Sequence, residues 1–159
     1  MLFLSQQLTL TVSLRGSVEV KDNYQLFRLT GLLDAFSEGI FIKKLKTNID
    51  KGPKNIILDL SKIDFVDSSG LGALVQLVKY TTKQKEGTLQ IVSNARVNQT
   101  VKLVRLEKYL SLQNSLDDAI NNVSVTKSWI GKAKSNYPIL FYLDICYLPS
   151  ENQILDGRL

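Results

Sequence analysis

Residues 64 to 72 read Asp-Phe-Val-Asp-Ser-Ser-Gly-Leu-Gly, and the run that follows to Tyr80 is apolar at helical spacing. Two carboxylates, two hydroxyls and two glycines therefore crowd a helix start. One oxygen-bearing side chain there can accept a hydrogen bond from the unpaired N–H groups of the first turn. Capping needs one such residue, and the chain supplies Asp67, Ser68 and Ser69 in a row. A hydroxyl left over can carry a phosphate, which adds about −1.5 to −2 charges and three strong acceptors. At a helix N-terminus those charges meet free N–H groups and the positive end of the helix dipole, so the fold would tolerate them. A partner surface built around a neutral hydroxyl would not, and Asp64 and Asp67 add like charge. Gly70 and Gly72 would either keep the helix start slim for a partner's close approach or simply ease the turn.

The rest of the composition narrows the chemistry. The chain of 159 residues contains no histidine, which removes Ser-His-Asp and Cys-His catalysis and imidazole metal ligation. Its single cysteine, Cys146, rules out an internal disulfide and a cysteine-based zinc site, and suits a reducing compartment. No phosphate-cradling glycine loop of the nucleotide-binding kinds occurs. No metal or other cofactor is expected. The net charge of +5 raises the question of nucleic acid. However, the lysines at 43, 44 and 46 and at 79, 83 and 85 have the spacing of solvated helix faces, and no basic-aromatic stacking motif accompanies them. Direct nucleic-acid binding is not expected. The N-terminus lacks a basic leader, and no apolar run approaches the about 20 residues that span a membrane. A soluble, cytoplasmic protein is the expectation.

The elements that must position the serine cluster follow from periodicity. Leu8, Leu10, Val12 and Leu14 alternate with polar residues and predict a strand over 8–14, with a turn at "GSVEVKDN" and a second strand over Tyr24–Gly31. Phe36, Ile40, Leu45 and Ile49 predict a helix from Asp34 to about Lys51, capped by Asp34 or Ser37 and ended by "KGP". "KNIILDLS" reads as a central strand, "KIDFVDSSG" as a loop, and Ser69 to Lys85 as a helix. "TLQIV" is a further strand. A third helix follows with Ser93 or Asn94 as its cap, then a short strand at 109–112 and a brief helix at "NSLDDAI". The order ββαβαβαβα calls for an α/β fold: a mixed sheet of four to five strands, the first antiparallel and the rest largely parallel, covered by helices on one face. One domain is expected over residues 1–120. A C-terminal extension over 121–159 includes the aromatic, apolar stretch "YPILFYLDICYLP".

Three segments carry a family resemblance: "LTGLLD" (29–34), "NIILDLSKIDFVDSSGLGAL" (55–74), and the strand-helix-strand-helix pattern to residue 120. Together they resemble the STAS domain, named for sulfate transporters and bacterial anti-sigma-factor antagonists, over residues 8 to 120. In layout the chain is most similar to the free-standing antagonists. The resemblance implies a protein that binds an anti-sigma factor that is also a serine kinase, with a phosphatase reversing the kinase's action. It places the phosphoacceptor at Ser68 and the switch loop at Asp67, Ser68, Ser69 and Gly70, with Asp34 near the same surface. The family often has Glu where this chain has Leu32. A binding module, not an enzyme, is therefore the leading expectation. The alternative keeps the fold but makes the chain an accessory subunit of a membrane transport or lipid-trafficking complex, and an enzyme using Asp34 and Asp67 ranks last.

Overall fold

A computed structural model describes residues 5–129. The stretch from residue 130, including the aromatic segment at 137–149, lies outside the described residues. The chain divides at Val125/Thr126, and the core and site below belong to the first unit. Its elements are β1 (Gln6–Thr9), β2 (Leu14–Val20), β3 (Tyr24–Leu33), α1 (Glu38–Lys51), β4 (Asn55–Val66), α2 (Ser68–Lys79), β5 (Leu89–Val92), α3 (Ala95–Leu103), β6 (Leu112–Gln113) and α4 (Leu116–Trp129). A π-helical turn, Tyr80–Gln84, continues α2.

The sheet is mixed, as the element order requires. Its strands lie side by side in chain order. β2 runs antiparallel to β1 and β3, and β3 to β6 are parallel. It has six strands where four to five were expected. The difference arises at the N-terminus. The expected strand over 8–14 breaks at a turn closed by Thr11 N–H to Leu14 O and Leu14 N–H to Thr11 Oγ1, both 3.0 Å, with Val12 95% exposed at its tip. The expected turn over 16–23 is mostly strand β2, which pairs along β3 from Leu14↔Gly31 to Val20↔Gln25. Gly31 has φ 110°, and a Cβ there would lie 2.0 Å from Ser13 O, so β3 can pass the turn only as glycine.

Helix α1 begins at Glu38, four residues later than expected, and buries Phe41, Leu45 and Ile49 on one stripe. Phe36 falls in the turn before it and is exposed. Helices α1, α2 and α3 cover one face of the sheet, sharing a core with Phe27, Ile56, Leu58 and Ile91. The expectation of helices on one face needs one correction: Ala119 and Val123 of α4 pack against Leu26, Ile57 and Val92 in a second core. Neighbouring residues of a strand point to opposite faces, so the apolar run Ile56-Ile57-Leu58 needs both faces covered.

Helices α1 and α2 lie against each other with their C-terminal ends joined. The Tyr80 hydroxyl donates to Asp50 Oδ1 at 2.6 Å, and Lys85 Nζ reaches the same oxygen at 2.9 Å. These two contacts hold the Asp50 carboxyl below its usual range. Buried Gln25 of β3 closes the end of α1, donating to the carbonyls of Asn48 and Pro53, each at 2.9 Å.

Strand β4 extends through the segment expected as a loop. Its pairing with β3 slips twice, between Arg28 and Thr30 and between Gly31 and Leu32, each time inserting an extra residue into β4. Asn94, one of the two expected caps of α3, binds both elements. Its Oδ1 accepts from Val97 N–H at 2.9 Å, while Nδ2 donates to Ser61 O at 3.1 Å and Ile63 O at 2.8 Å. Asn94→Ala removes the cap and leaves bulge carbonyls unpaired. We expect a loss of about 1–3 kcal/mol, measured by urea unfolding; a loss under a few tenths would contradict this tie.

Candidate functional site

The serine cluster lies at the C-terminal end of the parallel strands, the end at which open α/β sheets present their loops. β3 ends at Leu33 and β4, beside it, at Val66, with Leu33↔Val66 as the last register pair. Both chains then turn into helices.

Asp67 is the N-cap of α2. Its Oδ1 accepts from Gly70 N–H at 2.9 Å. Its Oδ2 accepts from Ala35 N–H at 3.2 Å, in the turn between β3 and α1. Its own N–H donates to Leu33 O at 3.3 Å. One residue thus caps a helix and joins two loops. Asp34 organises the other loop: its Oδ1 accepts from the N–H groups of Phe36 and Ser37, both at 3.0 Å. Ser37 occupies the N-cap position of α1 without making a side-chain cap. It is buried, accepting from Asp34 N–H at 3.0 Å and donating to Leu32 O at 3.1 Å.

With Asp67 as the cap, Ser68 and Ser69 become the first two helical residues. Ser68 is exposed, and its hydroxyl has no hydrogen-bond partner among the described residues. Ser69 is half-buried. The cap is therefore made without either serine, and Ser68 is the hydroxyl open to solvent at the positive end of α2. Asp34, Asp67, Ser68, Ser69 and Gly70 are all brought to this end of the domain, linked through the Asp67–Ala35 hydrogen bond.

Gly70 is buried, and the space at its Cα is taken up within the chain. A Cβ would lie 2.3 Å from Leu33 O and 3.0 Å from Val66 Cγ1. Its smallness lets α2 approach β3. At Gly72 a Cβ would meet nothing within 4 Å.

Two exposed aromatics flank the cluster, Phe36 (89% exposed) before α1 and Phe65 (54%) near the end of β4. Sequence reasoning placed Phe36 in the buried stripe of α1. The available signal was the Asp34/Ser37 spacing, which closes a turn around Phe36 and delays the helix. Phe65 was hidden by the bulges, which break strand alternation. A groove of about 180 Å3 between β4 and α3, lined by Asp64, Phe65, Arg96, Gln99 and Thr100 among others, is smaller than the roughly 300–1,000 Å3 of small-ligand sites. Among the described residues no cluster of His, Cys, Asp or Glu is arranged to hold a metal ion. Nor is any helix there long and apolar enough to cross a membrane.

A family profile described as the STAS domain matches residues 16–119. The chain belongs to this family. Its fold is shared with an anti-sigma factor antagonist from Mycobacterium paratuberculosis, at 24% identity and TM-score 0.63 over 74% of this chain and 99% of that one. It is also shared with the anti-sigma factor antagonist SpoIIAA in its unphosphorylated form, at 20% identity and TM-score 0.55 over 76% and 96%. A third likeness is to the murine anion transporter Slc26a9, at 16% identity and TM-score 0.59, over 79% of this chain but 23% of the transporter. The STAS fold thus occurs both as a free-standing module and as one part of a transporter.

Two glycines two residues apart in this STAS domain should respond oppositely. Gly70→Ala drives a methyl into the Leu33 carbonyl and should cost about 1–3 kcal/mol. Gly72→Ala should stabilise by about 0.5–1 kcal/mol. Parallel urea titrations read both, and equal effects would contradict the packing described.

Proposed function

We propose that this chain is an anti-sigma-factor antagonist: a regulatory binding module whose Ser68 end engages an anti-sigma factor that is also a serine kinase. Phosphorylation of Ser68 switches that engagement off, and a phosphatase restores it. The observation that carries the reading is the exposed Ser68 hydroxyl at the first position of α2, next to a cap already made by Asp67. The likeness to free-standing antagonists over nearly their whole length supports it.

The chemistry suits a switch. A phosphate on Ser68 would face the unpaired N–H groups at the start of α2, so the domain would keep its stability. The partner would have to desolvate a dianion beside Asp67, at a contact formed around a neutral hydroxyl. Binding would be lost while the fold is kept. Residues 1–120 carry this activity in the proposal, in the cytoplasm. Asp34 contributes by shaping the adjoining turn, and Gly70 by letting α2 approach β3.

The second reading, an accessory subunit of a transport or lipid-trafficking complex, draws on the fold shared with the Slc26a9 transporter. The two separate in one experiment. Incubation with ATP and the cognate serine kinase should label the protein once, and Ser68→Ala should abolish the label. Ser68→Asp should weaken binding to that kinase at least tenfold with a melting temperature within a few degrees of wild type. Labelling that survives Ser68→Ala, or disappears only with Ser69→Ala, would refute the assignment; unchanged binding by Ser68→Asp would favour the subunit reading.

A further inference from the structure

Phe36 is 89% exposed, yet its backbone is firmly held. Its own N–H and that of Ser37 donate to Asp34 Oδ1. The preceding residue, Ala35, is tied to Asp67, and the following one, Ser37, is buried and bonded back to Leu32 O. An apolar ring in water gains nothing for the free domain. One whose backbone is already ordered gives up little further freedom when a partner covers it.

We propose that Phe36 is the apolar anchor through which the Ser68 end engages its protein partner, and that the partner offers an apolar pocket rimmed by basic side chains; this rests on the partner-binding reading above. The Asp67–Ala35 hydrogen bond sets the location. Ser68 follows one of its residues and Phe36 follows the other, so a surface that covers the hydroxyl meets the ring as well. Ile40, in the first turn of α1, is 43% exposed, and a Cβ at the intervening Gly39 would meet nothing within 4 Å. Charge sets the rim. Asp34 lies two residues before Phe36 and Glu38 two after it, whereas Asp64 shares its groove with Arg96, so groups complementary to the ring's own turn are basic. These acids flank the ring in sequence, whereas Ser68 lies across the Asp67–Ala35 hydrogen bond, where covering the ring would also strip water from a phosphate.

The test is a titration of the full-length chain against each anti-sigma factor/serine kinase of the source genome, purified singly. Phe36→Ala, Phe36→Leu and Ser68→Asp are compared with wild type, and each variant is checked by thermal melting. Phe36→Ala should weaken binding at least tenfold with an unchanged melting temperature, Phe36→Leu should recover part of the loss, and wild-type binding should weaken as salt is raised. Phe36→Ala binding within twofold of wild type overturns the anchor, whatever Ser68→Asp does. Loss with Phe36→Ala but not with Ser68→Asp keeps the anchor and removes the phosphate switch. Affinity that is flat or rising with salt overturns the basic rim, and failure of every kinase to bind the wild-type chain overturns both proposals.

Discussion

The arrangement at the Ser68 end depends on one carboxylate. Asp67 satisfies an N–H of the first turn of α2 with one oxygen and an N–H of the β3–α1 turn with the other. The two segments it joins are 32 residues apart in the chain and side by side in space because β3 and β4 are parallel neighbours. A neutral cap such as serine has one oxygen and could not serve both groups along the same two directions. With the cap made from Asp67, neither serine is needed for it. The proposed role of Ser68 would therefore not compete with the stability of the helix.

The bulged end of β4 gives this carboxylate its position. A regular strand of the same length would carry Asp67 past the end of β3, whereas two inserted residues keep Leu33 and Val66 in register. Carbonyls released by the bulges are collected by Asn94, so the start of α3 also depends on the bulge. Buried Gly70 completes the joint by admitting the Leu33 carbonyl where other residues would place a methyl group.

Much of this was legible in the residues. The helical run after Asp67, the surplus of oxygen-bearing caps and the parallel order of the later strands all follow from short-range pattern. The missed features have particular causes. From Leu58 onward the buried residues of β4 are Leu58, Leu60, Ile63 and Val66. Their spacing goes from two to three at the bulges, matching neither a regular strand nor a helix, so the segment read as a loop. β2 begins Leu14-Arg15-Gly16-Ser17, too poor in apolar residues to resemble a strand, because Gly16 lies against the side chain of Leu29. Phe36 fits the helical period of α1 by spacing alone, and only the Asp34–Ser37 turn moves it out of the helix. The second oxygen of Asp67 reaches a long-range partner, which no local pattern encodes.

The margins of the sheet carry a consequence of their own. Among the described residues β1 has four residues and β6 has two, so each border there presents a short row of backbone groups. Sheets recruit other chains along long, flat borders, by strand addition or by runaway fibril growth. Here that route has little backbone to start from. Reversible binding of the kind proposed would be better served by side-chain docking at the loop end, which can be undone without unzipping a ladder.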